Sequence, residues 1–394
     1  MSLINEYIDI FKKSGSSALE AELLRLITEY NKLRSTYLFV YTAAIGKPIP
    51  NIALDQTDYY MIRDFLSNKN NIKNVEIYIE TPGGSGETAE EIVRFLRKHF
   101  DTVSFVVSGE AKSAGTLIVL SGDEILMTET GSLGPIDAQM KIGRSVISAY
   151  DYMEWVNEKR ADAEKNDRLN PFDATMVAQI TPGELGSVYH ALKFAEDLVV
   201  EWLVNYKFKK WDKTETRGIP VTEEMKSKRA EEIARELSNH AKWRSHGRSI
   251  KIENLEEINL KISRVDDDPK LADIVYRIQM VCRLLFDSTT IYKIFATADS
   301  KLFKQAAPAG ITAPRIPAQS MDVVQIEQPC PKCKTLHKLY AKFVQNPKID
   351  TDLRAQGFTP LPKDGKIKCK CGLEIDLIGI KNQIETQIGR KIVL

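Results

Sequence analysis

The apolar positions change period along the chain, and the changes mark out elements. Up to Ser35 they recur at helical spacing, as Leu3, Tyr7 and Ile10 and then Leu19, Leu23, Leu26 and Tyr30, with charges between them. This predicts two amphipathic helices. From Ser35 to about Ile136, runs rich in Val, Ile and Tyr ("TYLFVYTAA", "NVEIYIETPGG", "DTVSFVVSG", "DEILMTETGSLGPID") alternate with amphipathic segments ("DQTDYYMIRDFLSN", "GETAEEIVRFLRKHF", "SAGTLIVLSG"). That order predicts parallel strands joined by helical crossovers, an α/β core. Beyond Val146 the pattern turns helical through "SAYDYMEWVNEKRADAEKND", "TPGELGSVYHALKFAEDLVVEWLVNYKF", "TEEMKSKRAEEIARELSN" and "DPKLADIVYRIQMVCRLLFDST". These helices are expected to cap the sheet or to build subunit contacts. "QAAPAGITAPRIPAQS" (305–320) has little periodicity and much Ala, Pro and Gly, and is expected to be a linker or extended arm.

The organisation expected from this pattern is a helical segment at 1–34, a core domain at 35–300, a linker at 301–325 and a separate small module at 326–394. No repeat at solenoid period is visible. The 394 residues are 43% hydrophobic, enough to bury a substantial core. No stretch has the uninterrupted apolar length of a membrane span, and the N-terminus lacks a signal-peptide pattern. The expectation is a soluble, cytoplasmic protein. With 55 Lys and Arg against 54 Asp and Glu, the whole chain is not an evident nucleic-acid or membrane-surface binder.

Candidate chemistry gathers at two places. Ser113 stands in "SGEAKSAGT" (108–116), where a strand-like run gives way to an apolar helix. A side-chain oxygen there can face a cleft, beside a helix start that favours developing negative charge. "TPGG" (81–84) closes the preceding strand, and Gly83 and Gly84 are candidate oxyanion donors, since backbone N–H groups without side chains can approach a substrate. Alone, a Pro-Gly-Gly is usually a turn and a serine at a helix start usually a cap. On successive βα units both loops fall at the carboxyl ends of strands, where open α/β sheets bind ligands.

The second place is the C-terminal module. "CPKCKTLH" and "CKCG" supply Cys330, Cys333, Cys369 and Cys371, two close pairs that suit a closed, structural Zn²⁺ site. His337 is an alternative ligand. The cytoplasmic expectation disfavours disulfides. The remaining cysteine, Cys282, lies on a helical apolar face and reads as a small buried hydrophobe. From Cys330 onward there are 13 Lys and Arg against 6 Asp and Glu, a surplus of seven positive charges. Nucleic acid is one partner for such a module, but with few aromatics and no base-reading helix a protein-docking or substrate-recruiting role is favoured.

"IETPGGSGETAEEIVRFLRKHF" followed by "GEAKSAGTLIVLSGDEILMTETGSLGPIDAQ" resembles the Clp-protease/crotonase superfamily. Within it, the resemblance is to the serine dehydrogenase proteinase family, relatives of signal peptide peptidase A. The likeness is dense from about residue 50 to 140, weaker to about 265, and reaches neither the N-terminal helices nor the cysteine module. It implies a βαβ spiral core with helical extensions, a serine peptidase acting on protein or peptide substrates, and a homo-oligomer. It maps the nucleophile onto Ser113 and the oxyanion donors onto Gly83 and Gly84, with the Gly115 region shaping the pocket.

One departure concerns the base. Where Clp-type proteases carry a histidine about 25 residues beyond the serine, this chain has Asp137, and its histidines (His99, His190, His240, His246, His337) lie elsewhere. The peptidase A relatives use a lysine, which burial can deprotonate. That points to Lys159 as general base, with Lys165 as second choice. Lys112 reads as a solvated lysine pointing away from its neighbour. Asp137 either orients the base, binds substrate or caps a turn, and His246 in "RSHGRSI", a rival base by folding, reads as a structural or substrate-side residue. A catalytically silent oligomeric scaffold whose C-terminal module, a zinc ribbon, binds protein or nucleic acid is the alternative, and a crotonase-type acyl-CoA enzyme is a third reading. No G-x-G-x-x-G follows a strand, so the dehydrogenase of the family's name finds no support.

Overall fold

Strand alternation decides the layering of this molecule. The structure, a computed structural model, describes residues 2–393 apart from 50, 68, 70, 143, 144, 215, 216, 307–321 and 389. Along the chain, α1 (Leu3–Ser14) and α2 (Ser16–Arg34) lead into β1 (Tyr37–Ala43), α3 (Gln56–Ser67), β2 (Asn74–Glu80), α4 (Gly86–His99) and β3 (Thr102–Val107). The two-residue strand β4 (Glu110–Ala111), α5 (Ala114–Leu120), β5 (Glu124–Met127) and β6 (Ser132–Leu133) follow. A hairpin of β7 (Gln139–Ile142) and β8 (Ser145–Ser148) opens the helical stretch α6 (Ala149–Asn166), α7 (Pro171–Val177), α8 (Pro182–Trp202), α9 (Glu223–Ser238), α10 (His240–Trp243) and α11 (Ile252–Glu257). Strand β9 (Ser263–Arg264), α12 (Pro269–Ser288), β10 (Ile291–Ala296) and β11 (Lys301–Gln305) complete a first compact unit, Met1–Ala306.

The main sheet has the order β11-β10-β1-β2-β3-β5-β9. β1, β2, β3, β5 and β9 are parallel, while β10 and β11 add an antiparallel edge. Because successive side chains leave a strand on opposite faces, each strand feeds two cores. Phe39, Ile77, Phe105 and Ile125 pack under the helices α4, α5, α8 and α9, whereas Leu38, Tyr78, Val106 and Leu126 pack against α2 and α12. The expected α/β core is thus a three-layer αβα unit. Leu19, Leu23, Leu26, Ile27 and Tyr30 of α2 are buried in the second core. Arg34 at the end of α2 reaches the sheet, 2.8 Å from Glu76 and 3.1 Å from Glu124.

The second unit, Ala307–Leu394, has its own core. It holds β12 (Val323–Pro329), β13 (Leu336–Lys342), α13 (Pro347–Ala355), β14 (Thr359–Pro360), a hairpin of β15 (Lys366–Lys368) and β16 (Glu374–Asp376), and α14 (Ile378–Ile388). Two expectations shift. The linker expected at 301–325 does not begin at 301, since Lys301–Gln305 pairs antiparallel with β10, nor does it run to 325, since β12 starts at Val323. Its middle, 307–321, lies outside the described residues. Ser113 follows the short strand β4, which pairs with β6 outside the main sheet, and not the end of β3.

The docking of α2 can be tested within one helix. Leu23→Ala, at a fully buried position, should cost about 2–5 kcal/mol in chemical denaturation. Leu33→Ala, at a residue 39% exposed, should change stability by no more than about 0.5 kcal/mol. Equal losses at the two positions would show that α2 does not bury this face.

Candidate active site

Glycine brings two loops to near contact. After β2 the backbone of Thr81 pairs with β4, Thr81 N–H donating to Glu110 O at 2.8 Å and Lys112 N–H to Thr81 O at 3.0 Å. Two residues on, Gly83 runs against the serine turn. A Cβ at Gly83 would stand 2.5 Å from Lys112 O, 2.6 Å from Ser113 Cβ and 3.2 Å from Ala114 N, and its φ of +90° strains any L side chain. The glycine is therefore what lets the "TPGG" loop and the "KSAGT" turn touch. Gly115 has the same role two residues beyond Ser113, where a Cβ would lie 2.4 Å from Thr81 Cγ2.

Ser113 has φ 50° and ψ −118°. Other non-glycine residues with positive φ, such as Ser35 (54°, 43°) and Arg244 (62°, 0°), sit in or near the left-handed helical well. Ser113 does not, and such a conformation costs on the order of 1–3 kcal/mol unless its surroundings enforce it. It stands at the N-cap position of α5, yet its side chain caps no backbone amide. The residue is partly exposed in a turn whose flanking residues are buried.

The two proposed oxyanion donors differ. Gly83 N–H is already donated to Thr81 Oγ1 at 3.2 Å. At Gly84, Leu54 bonds to the residues on either side, its N–H to Gly83 O and its carbonyl to Ser85 N–H, which turns the Gly84 amide away from Leu54. The Ala114 amide, next to Gly83, is a further candidate donor that the sequence did not single out.

Asp137 is buried, 1% exposed, and its carboxylate is the node of a small network. His246 Nδ1 lies 2.8 Å from Oδ1, and Gln139 Nε2 donates to Oδ2 at 2.7 Å. A carboxylate only accepts, so His246 carries its proton on Nδ1 and leaves Nε2 as the basic nitrogen. His240, whose Nδ1 pairs with Asp151 at 2.7 Å, stands 4.0 Å from Oδ2. This network is tied to the serine turn through hydrogen bonds of nearby residues. Thr116 Oγ1 accepts Gly134 N–H at 2.9 Å, and Leu133 and Ile250 exchange hydrogen bonds at 3.0 and 2.9 Å. Of the roles open to Asp137 in the sequence, the orienting one has a partner here, and that partner is a histidine.

The lysines stand differently from the sequence reading. Lys159 on α6 is held by Glu158 at 3.1 Å, Asp173 at 3.3 Å and Asp162 at 3.4 Å. Its pKa is raised, first by the Glu158 bond and then by Asp173 and Asp162. A general base needs the opposite shift. Lys165, near the end of α6, is exposed. Lys112, expected in solvent, is 6% exposed, and burial lowers its pKa.

In the second unit the sulfurs of Cys330, Cys333, Cys369 and Cys371 all lie within 4.8 Å of one another. Cys330–Cys371 is 3.7 Å and Cys333–Cys369 3.5 Å. Metal–sulfur bonds of about 2.3 Å in a tetrahedron give an edge of about 3.8 Å, so the four residues fit a metal ion. His337, on β13, is not part of this group. Cys282 is buried, as its spacing predicted.

A family model described as ClpP-like SDH-type serine proteinase matches residues 45–178. Two uncharacterized proteins of Methanocaldococcus jannaschii are similar to the chain. One is 34% identical over 97 residues, 25% of this chain and 32% of that protein. The other is 35% identical over 80 residues, 19% of this chain and 27% of that protein. The matches thus span about a third or less of these relatives' own length. Among solved structures, a mutant of the 1510-N membrane-bound stomatin-specific protease aligns over 56% of this chain and 79% of that one, at 14% identity and a TM-score of 0.33.

The contact between the loops is testable at Gly83. Gly83→Ala must push the two loops apart, and a displacement of about 1 Å at a reacting centre costs on the order of 10²-fold in rate. The folded chain should retain its helical signal while losing the reactivity of Ser113 toward a serine-directed probe. Undiminished reactivity would show that the close approach is unimportant.

Proposed function

We propose, from the match of residues 45–178 to the ClpP-like SDH-type serine proteinase model, that the chain is a serine peptidase in which Ser113 attacks a peptide carbonyl and His246, oriented by Asp137, takes its proton. The observation that carries the reading is the backbone of Ser113, held at φ 50° and ψ −118° against a glycine loop with no capping duty for its hydroxyl. Strain of this kind turns a nucleophile out of the regular helix path.

The proposal assigns the remaining roles as follows. His246 Nε2 receives the Ser113 proton as Oγ bonds to the carbonyl carbon, while Asp137 stabilises the imidazolium through Nδ1–H. The carbonyl oxygen becomes an oxyanion served by the amides of Gly84 and Ala114, with the Gly83 amide engaged on Thr81. His246 then protonates the departing amine, and the acyl-enzyme is released by a water that the same imidazole deprotonates.

A Ser–Lys dyad with Lys159, or Lys165 in its place, is the second reading, drawn from the peptidase A relatives. Three carboxylates around Lys159 favour its charged form, which weighs against it. For partners the reading takes peptide substrates. Exposed Phe172 on α7 and Tyr189 on α8 support the expectation of a homo-oligomer. Among the described residues no helix is long and apolar enough to cross a membrane. The four cysteines would hold a structural Zn²⁺, which when bound supplies folding energy to the second unit and no open position for chemistry.

Labelling the purified chain with a fluorophosphonate separates these readings. Ser113→Ala should abolish labelling, His246→Ala should slow it by about 10²–10⁴-fold, and Lys159→Ala should leave it unchanged. Loss in Lys159→Ala with His246→Ala spared would restore the Ser–Lys dyad, and an unreactive wild type would favour the silent scaffold. Metal analysis should find one zinc per chain, lost with Cys369→Ser and Cys371→Ser together. That double variant should become sensitive to proteolysis within 322–394 while Ser113 still labels. A metal-free wild type would remove the zinc assignment.

A further inference from the structure

Lys112 is a buried cation that the chemistry above does not use. None of its four partners is a carboxylate. Its Nζ lies 2.9 Å from Ser249 Oγ, 3.1 Å from Leu133 O, 3.2 Å from Arg248 O and 3.3 Å from Ser132 Oγ. The charged groups it senses are Glu110, which favours its charge, and Lys251, which opposes it, with burial the larger influence and acting to lower its pKa. Lys251 is itself occupied, its Nζ facing the carbonyls of Glu129, Thr130 and Gly131. An ammonium has three protons, so at most three of the four oxygens accept from it at once and a serine hydroxyl turns to suit.

Burying a charge without a counter-charge is costly, and an apolar side chain of similar length would fill the same space at less cost. What the ammonium adds is reach across sequence. Its partners lie 20–21 and 136–137 residues away, in two segments that no hairpin joins to it. The stem passes directly over Gly134, where a Cβ would stand 2.9 Å from Lys112 Cδ. One end of the side chain is the residue before Ser113, and the other holds Arg248 and Ser249, just beyond His246.

We propose that Lys112 is a positioning residue, an ammonium strut that sets the spacing between the serine turn and the segment carrying His246. The proposal rests on the reading of Ser113 and His246 given above. The strut touches neither substrate nor the reacting atoms. It fixes three segments, 112–113, 132–134 and 246–250, around one point, so that the base meets the nucleophile without searching.

The test uses the full chain and a saturable fluorophosphonate, with labelling resolved into an apparent binding constant and a maximal inactivation rate. Lys112→Met should lower the maximal rate on the order of 10²-fold and leave the binding constant nearly unchanged, since the oxyanion loop stays in place. Ser249→Ala, which keeps the charge and removes the shortest bond, should lower the rate several-fold. Once Lys112 is Met, adding Ser249→Ala should change nothing more, because the two act as one unit. A folded Lys112→Met chain that labels at the wild-type rate, with only a lower melting temperature, overturns the proposal. Should Lys112→Met fail to fold, Ser249→Ala decides, and a wild-type rate there overturns it. A wild type that does not label at all overturns the serine reading and this proposal with it, whereas a labelled wild type lost in Ser113→Ala secures the premise.

Discussion

The close approach of a glycine loop to a strained serine is the constraint on which the rest of the first unit depends. Ser113 cannot hold φ 50° and ψ −118° unaided, and the loop that presses on it can do so only because residue 83 has no side chain. The loop's position comes from β2 of the main sheet, and the serine's from α5 and from β4, which pairs with β6 outside that sheet. Two cores hold that sheet, one on each face, and their packing supplies the free energy that keeps the strained turn from relaxing.

The proposed base illustrates a different constraint. A histidine supplied from within the segment after the nucleophile would need only local chain to reach it. Here that place holds Asp137, and the imidazole arrives from 109 residues away to meet the carboxylate. A carboxylate and an imidazole far apart in sequence are thus brought together, with the bridge between Leu133 and Ile250 joining the two segments that carry them. Leu133 with Ile250, Thr116 with Gly134, and the four oxygens around Lys112 are the bonds that make this long connection precise.

Much of this was legible in the sequence wherever the signal is local. The Val- and Ile-rich runs and the helical spacing gave the layers, "TPGG" and "KSAGT" gave the two loops, and the paired cysteines gave the sulfur cluster. Distance in sequence hid the rest. Nothing in "RSHGRSI" or "GPIDAQ" taken singly tells that His246 and Asp137 meet, since each string also suits a turn. Lys112 reads as solvated because a lysine beside a glycine-rich turn usually is, and only the segments folded over it bury it. Lys159 looked suitable by analogy, but the charge-rich helix that suggested it also supplies two of the carboxylates that neutralise it, with Asp173 on α7 the third. The linker was drawn too long because Lys301–Gln305 has no strong pattern of its own and becomes a strand by pairing with β10.

The most direct measurement of the central claim is a crystal structure of the chain inactivated by a small organophosphonate. The account predicts phosphorus bonded to Ser113 Oγ, the phosphonyl oxygen facing the amides of Gly84 and Ala114, and His246 Nε2 as the nearest basic nitrogen with Asp137 still on Nδ1. An adduct on another residue, or one whose nearest base is Lys159 with the Asp137–His246 pair turned away, would contradict it.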